Sequence, residues 1–122
     1  MTGASKLQSI APIFQVANLQ RAIDYYTRVL GFELGWTAGE PLDRASLCRD
    51  SVEITIETDP APSRAKVYIY VSGVDEIYSR AAAAGAQLTV PLADRFYGMR
   101  DGRIVDPDGN ELHFGEPLDI EK

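Results

Sequence analysis

The sequence predicts an α+β fold built from two successive βαβββ units. Two observations support this prediction: one stretch of the chain resembles another fifty-five residues further on, and each copy passes from an apolar strand through a polar turn into a helix. The similar stretches are Val16–Ala22 and Val71–Ile77. Because either unit alone is too small to bury a sheet, we expect both to share one core in a single domain, 1–122.

Each unit is predicted to contain one amphipathic helix. In the first unit, Asn18 suits the N-cap position, and apolar residues at i, i+3, i+4 and i+7 predict a helix over about 19–30. In the second unit, the same spacing with several small alanines predicts a helix over about 74–84. Gly31 and Gly85 follow these helices, where glycine suits the left-handed C′ position.

Strand patterns surround each helix. Residues Val52–Glu57 alternate between β-branched and polar side chains, which is typical of a half-buried strand. The run Asp106–Asn110 predicts a tight turn, since proline and glycine stand at the positions that such turns favour. The other strands are predicted at 10–16, 32–36, 45–48, 66–71, 87–90, 103–105 and 111–114. The first unit is expected at about 8–58, a proline-containing linker at 59–64 and the second unit at about 65–117.

Composition excludes several classes of protein. The 122 residues are 45% hydrophobic and 25% charged, as in globular domains. Twelve Lys and Arg against 18 Asp and Glu give a net charge of −6, which disfavours nucleic-acid binding. That charge serves solubility or attracts a cationic ligand, and both interpretations stay open. Without an apolar run of about 20 residues, and with Cys48 as the only cysteine, we expect a cytoplasmic protein with no membrane partner.

Two motifs resemble the vicinal oxygen chelate superfamily, which includes glyoxalase I, extradiol dioxygenases, fosfomycin-resistance enzymes and bleomycin-resistance proteins. They are VANLQRAIDYYTRVLGFEL after a strand and VDPDGNELHFGEP near the end of the chain. The run FYGMRDGRIVDPDGNELHFGE is similar to the bleomycin-resistance-like group. The resemblance covers about 10–117. It implies a concave, cup-like mixed sheet with the helices on its outer side, and a homodimer with ligand grooves between subunits, often with exchanged N-terminal strands.

The resemblance also implies where a metal would bind. Enzymes of the superfamily place metal ligands on the first and last strands of each unit. Those positions correspond here to Ala11, Lys66, His113 and either Thr55 or Glu53. Alanine has no donor atom and an ammonium group repels a divalent cation, so fewer than the usual three protein ligands remain. We therefore expect no metal and no cofactor.

Strand alternation indicates which side chains would face the implied cup. They are mainly aromatic and acidic, which suits a planar or cationic organic ligand. The alternatives are that Tyr68 and Tyr70 fill the cup as core, and that His113 is a polar side chain satisfied by a neighbour. The predicted ligand-binding residues are Trp36, Glu53, Thr55, Glu57, Lys66, Tyr68, Tyr70, Phe96, Tyr97, Glu111 and His113.

The resemblance and the cavity residues together lead to one functional hypothesis and its rivals. The first hypothesis is a protein that sequesters an antibiotic-like, cationic or aromatic molecule without chemistry and without catalytic residues. The alternative is a glyoxalase-like or dioxygenase-like lyase or isomerase acting on a small oxygenated substrate. A metal-free enzyme would need His113 paired with Glu53 or Glu111 as acid and base. A general ligand carrier is not distinguished from the first hypothesis.

Overall fold

The computed structural model describes residues 3–118 and contains the predicted βαβββ order twice. The first unit comprises β1 (Ile13–Val16), α1 (Leu19–Asp24), a π-helical segment (Tyr25–Val29), β2 (Glu33–Ala38), β3 (Arg44–Arg49) and β4 (Val52–Thr58). The second comprises β5 (Lys66–Tyr70), α2 (Val74–Ala83), β6 (Gln87–Asp94), β7 (Met99–Val105) and β8 (Glu111–Pro117). The α+β class and the tandem units are thus confirmed.

The strands form two open, four-stranded mixed sheets, one from each unit. The first sheet has the order β1-β4-β3-β2 and the second has the order β5-β8-β7-β6. In each sheet the first and last strands of the unit pair in parallel, and the other neighbours pair antiparallel. Within residues 3–118 no strand ladder joins one sheet to the other.

One face of each sheet is buried under the helices, and burial follows the predicted alternation. Phe14, Ile54 and Ile56 are buried on the first sheet, and Ile104 and Leu112 are buried on the second. The buried side chains of both units belong to one hydrophobic cluster, so the units share a core. The opposite face of each sheet carries the polar and aromatic alternates, and we call it the open face.

The first helix differs in part from the predicted α-helix. Asn18 is the N-cap as expected, and its side chain accepts a hydrogen bond of 2.8 Å from the backbone N–H of Arg21. The helix continues beyond Asp24 as a π-helical segment rather than as α-helix. This wider winding lets consecutive tyrosines, Tyr25 and Tyr26, both reach the second unit. No helix of residues 3–118 has the length and apolarity that crossing a membrane requires.

The predicted turn at Asp106–Asn110 also joins the two units. The Asp106 carboxylate accepts hydrogen bonds from the Tyr26 hydroxyl, at 2.8 Å, and from the Asn110 side-chain amide, at 3.0 Å. The Asn110 amide also donates to the carbonyl of Gln15 and accepts from the N–H of Ala65. We call these three side chains, Tyr26, Asp106 and Asn110, the clasp. All three are buried.

Candidate functional site

The open face of the second sheet brings together five of the predicted site residues. In the parallel pairing of β5 with β8, Tyr68 lies opposite His113 and Lys66 lies opposite Glu111. The tyrosine rings of Tyr68 and Tyr70 lie 5.1 Å apart between centroids. These five side chains therefore share one surface. Their role in ligand binding stays a prediction.

The centre of this surface is Asp101 on β7, which sequence reasoning missed. Asp101 is only 5% exposed. Its carboxylate accepts hydrogen bonds from the hydroxyls of Tyr68, at 2.7 Å, and Tyr97, at 2.9 Å, and from Arg95 Nε at 3.0 Å. Burial alone would raise the pKa of Asp101, but these donors lower it below its ordinary value. Asp101 thus remains an anion that positions two phenol groups.

The same interactions keep the two phenols protonated. Desolvation first, and then the hydrogen bond to Asp101, raise the pKa of Tyr68 well above its ordinary value. The hydrogen bond to Asp101 is the main cause of the raised pKa of Tyr97. Both hydroxyls therefore act as neutral donors to the carboxylate, and their rings are held in place.

Gly115 on β8 is a second residue that sequence reasoning missed. A Cβ atom at this position would overlap the Tyr68 hydroxyl and lie 2.6 Å from the ring carbon that carries it. The absent side chain is therefore what lets Tyr68 lie across β8 and reach Asp101. Gly115 directly follows the strand predicted at 111–114, and a glycine within a strand can signal a close approach, whereas nothing in the sequence marks Asp101.

A cavity of about 180 Å³ opens on this surface. It is lined by Tyr68, Val90, Arg95, Tyr97, Asp101, Gly102, Arg103 and His113. His113 Nε2 lies 2.9 Å from Glu111 Oε1, so the histidine has a polar neighbour, as one sequence-based alternative proposed. That contact lowers the pKa of Glu111. The surface thus combines aromatic rings with paired charges of both signs.

The turn between β6 and β7 presents an aromatic side chain at the edge of this cavity. Phe96 is 100% exposed, and its ring lies edge-on to Tyr97 at 5.2 Å between centroids. Its neighbours Arg95 and Tyr97 are both bound to Asp101. The turn is therefore tied to the sheet while Phe96 projects into solvent. Such a residue is suited to contact a ligand or a second chain.

Four predicted site residues lie on the first sheet instead. Glu53, Thr55 and Glu57 follow the open-face alternation of β4, and Glu53 accepts a hydrogen bond of 2.6 Å from Ser46. Trp36 is on the edge strand β2 and is about half exposed. None of these four residues lines the cavity beside Tyr68. Of the eleven predicted residues, Tyr68, Tyr97 and His113 line that cavity, and the other eight do not.

The donor set does not fit the metal centre of the enzymes that the sequence resembles. Ala11 and Lys66 stand at two of the ligand positions, and Lys66 faces Glu111 across the strand pair. Within residues 3–118, no three His, Cys, Asp or Glu side chains are grouped closely enough to hold a metal ion. No chemical step through a metal follows from these residues.

Comparison with known proteins establishes the family. The model of the Glyoxalase/Bleomycin resistance protein/Dioxygenase superfamily matches residues 6–114. That match spans most of the chain, and the strands and helices of the chain follow the repeated βαβββ order. The chain belongs to this superfamily.

Individual relatives are distant but cover nearly the whole chain. A bleomycin resistance protein of Geobacillus stearothermophilus is 28% identical, over 92% of this chain and 98% of its own length. A protein of Mycobacterium tuberculosis is 27% identical, over 90% of this chain and 75% of its own length. Among solved structures, TioX from Micromonospora sp. ML1 is 26% identical, with a TM-score of 0.80 over 91% of this chain and 100% of that one.

A further structure is similar in fold alone. The bleomycin-binding protein complexed with bleomycin aligns with a TM-score of 0.76 over 90% of this chain and 98% of that one, at 17% identity. The likeness shows that the arrangement of strands and helices described above occurs in a protein that holds this ligand.

Proposed function

We propose that the protein binds and sequesters a small aromatic, antibiotic-like molecule, without metal, on the open face of its second sheet. The observation that carries the proposal is the aromatic surface formed by Tyr68, Tyr70, Phe96 and Tyr97. Asp101 holds two of these rings, those of Tyr68 and Tyr97, in place. Similarity to bleomycin resistance proteins along nearly the whole chain supports it. Rings held in place before binding lose little conformational freedom on contact with a planar ligand.

The charges on this face refine the expected ligand. Glu111 is engaged by His113 and Asp101 by Arg95, so neither carboxylate is a free partner for a cationic ligand. Arg103 also borders the cavity. Stacking on the rings is therefore the main interaction that this sheet offers, at about 0.5–1.5 kcal/mol for each aromatic pair.

The carboxylates that suit a cationic group belong to the first sheet. Glu57 is paired with Arg44 in the register of β3 with β4, and Glu53 lies four residues away along the same face of β4. We infer that in a homodimer the open face of the first sheet of one protomer faces the open face of the second sheet of its partner. Each groove would then join acidic residues to aromatic ones, as the resemblance to bleomycin-resistance proteins implies.

Calorimetric titration tests the proposal with metal-free bleomycin, copper-loaded bleomycin and uncharged planar aromatics. We expect Phe96→Ala to weaken binding about threefold to tenfold, because one aromatic contact is lost. The matched control is Leu34→Ala, an exposed apolar side chain that pairs with buried Leu47 and so lies away from the open face. Absence of heat with every compound, or equal losses in both variants, would contradict the proposal.

The enzymatic alternative has one observation in its favour. His113 and Glu111 are in contact at 2.9 Å, and His113 lines a cavity that Arg95 and Arg103 also border. Such a pair could move a proton on a small oxygenated substrate whose anionic form the arginines stabilise. Deuterium exchange into small α-hydroxy ketones, followed by NMR, would support a lyase or isomerase if His113→Gln abolished it.

A further inference from the structure

The two units meet at two corresponding joints, and only one of them is closed. At the first joint, Tyr25 and Tyr26 of the first helix reach the turn between β7 and β8. The repeat of fifty-five residues places Arg80 and Ala81 at the corresponding positions of α2. The second joint, between α2 and the turn from β3 to β4, therefore lacks both tyrosine side chains.

A groove occupies this second joint. Two adjoining cavities of about 500 Å³ and about 320 Å³ lie there, within the size range of ligand pockets. They share four lining residues, Arg49, Ile77, Arg80 and Phe114. We call this space the joint groove. It is separate from the cavity beside Tyr68, with which it shares no lining residue.

The inner wall of the joint groove is apolar. Phe32, Ile69 and Phe114 are buried core residues that also line it. Ala81 of α2 and Ala84, the C-cap residue of that helix, form another part of the wall, where small side chains leave space. A ligand in this groove would lie against the small parts of these apolar side chains that remain exposed.

The joint groove is lined by three arginines, Arg28, Arg49 and Arg80, and by two carboxylates, Asp50 and Glu76, in a chain whose net charge is −6. Asp50 lies 4.0 Å from Arg49, and its side chain is 91% exposed. Arg49 is held by a hydrogen bond of 2.8 Å from its Nη1 to the carbonyl of Leu30, at the end of the first helix. Arg80 pairs with Glu76, but the two side chains are 79% and 66% exposed. Such exposed pairs contribute little and exchange readily with another anion.

We propose that the joint groove binds a small organic carboxylate with an apolar body. The apolar body lies against Phe114 and Ile77, and the carboxylate accepts hydrogen bonds from the guanidinium groups of Arg49 and Arg80. Arginine is suited to this role because its planar, permanently charged group matches a carboxylate geometrically. This site is distinct from the cavity beside Tyr68, although Tyr70 of the aromatic surface also borders the joint groove.

The test compares two ligands of nearly equal shape, the anionic 4-phenylbutyrate and the neutral 4-phenylbutyramide, by titration of isotopically labelled protein in NMR. We expect saturable shifts of the Ile77, Ala81 and Ala84 amides with the acid, and about tenfold weaker binding of the uncharged amide. Arg80→Gln should weaken binding of the acid several-fold and leave the fold intact, since its side chain is exposed. Ala84→Phe should block the groove without a change in charge.

Arg103→Gln is the matched control, because it removes the same charge on the open face of the second sheet. Equal affinity for the acid and the amide, or equal effects of Arg80→Gln and Arg103→Gln, would overturn the proposal. So would the absence of saturable shifts at millimolar concentrations of the acid. Shifts at Ala81 and Ala84 that depend on protein concentration without ligand would assign the groove to a second copy of the chain instead.

Discussion

At the scale of single residues, Asp101 determines the shape of the candidate site. Its carboxylate binds Tyr68, Tyr97 and Arg95 at once, so one buried anion orients a strand residue and a turn. The aromatic surface is therefore a consequence of polar contacts beneath it. Substitution of Asp101 should affect both stability and binding.

Asp101→Asn should lower the free energy of unfolding by about 2 kcal/mol at neutral pH, since a charge-assisted partner of Arg95 is lost. The lowered pKa of Asp101 means that its contribution is complete above the ordinary carboxyl range and is lost as pH falls through the lower folded-state pKa. The difference between variant and wild type should therefore shrink below about pH 4. Urea unfolding across pH measures this. A constant difference down to strongly acidic pH would contradict the assignment.

Gly115→Ala tests the close approach of Tyr68. The added methyl group would overlap the Tyr68 hydroxyl, so we expect the ring to move away from Asp101 and the affinity for aromatic ligands to fall several-fold. Calorimetry and the chemical shifts of the Tyr68 ring measure the two effects. Gly3→Ala is the control, because a methyl group there meets nothing within 4 Å. Unchanged Tyr68 shifts in Gly115→Ala would refute this account.

At the scale of elements, hydrogen bonds connect the first helix directly to the turn between β7 and β8. The motifs that contain them are far apart in sequence, and the clasp brings them into contact through Tyr26, Asp106 and Asn110. The π-helical winding beyond Asp24 belongs to the same arrangement, since both tyrosines donate to neighbouring residues of the second unit. The clasp thus joins the two repeats.

Tyr26→Phe should lower the free energy of unfolding by about 1–2 kcal/mol, because a buried hydrogen bond to Asp106 is lost while the ring keeps its packing. Chemical denaturation measures the change. Tyr70→Phe removes the same hydroxyl from a mostly exposed side chain and should have little effect on stability. If both variants lowered the free energy of unfolding equally, the hydrogen bond from Tyr26 to Asp106 would contribute no more than an exposed hydroxyl group.

At the scale of the whole molecule, the acidic residues predicted for the site lie on two different sheets. Glu53 and Glu57 lie on the first sheet, whereas the carboxylates of the second sheet are engaged by His113 and Arg95. Glu53 and Glu57 therefore do not line the cavity that Tyr68 and Tyr97 line in the same chain. The proposed homodimer would combine them.

Glu53→Gln with Glu57→Gln tests this arrangement. If the first sheet of a partner completes the groove, the affinity for a cationic aromatic ligand should fall and its dependence on salt should weaken. Affinity for an uncharged aromatic ligand should stay the same. Calorimetry at two salt concentrations measures both, and sedimentation measures the oligomeric state. A monomer that binds the cationic ligand with unchanged affinity in the double variant would contradict the dimer proposal.

Much of the fold was predictable because it depends on local patterns. Spacing of apolar residues, the Asn18 cap and β-branched alternation predict the helices and strands, which form largely where expected. The motif of the first helix and the motif around Asp106 together predicted the family, which the match over residues 6–114 confirms. Strand ends were less well predicted. β6 ends at Asp94 instead of at residue 90, and β7 begins at Met99 instead of at residue 103. The reason is that pairing between the two strands orders residues that have no strong strand pattern.

The candidate site was predictable only in part. Alternation alone placed Tyr68, Tyr70 and His113 on one face, since successive side chains of a strand must point to opposite sides. The role of Asp101, the space over Gly115 and the separation of Glu53 from the tyrosines arise from contacts between distant strands and between units. Local physics in the sequence therefore determined the elements and their faces. Which faces and carboxylates meet was decided by the tertiary structure, because long-range packing leaves no periodic signal in the chain.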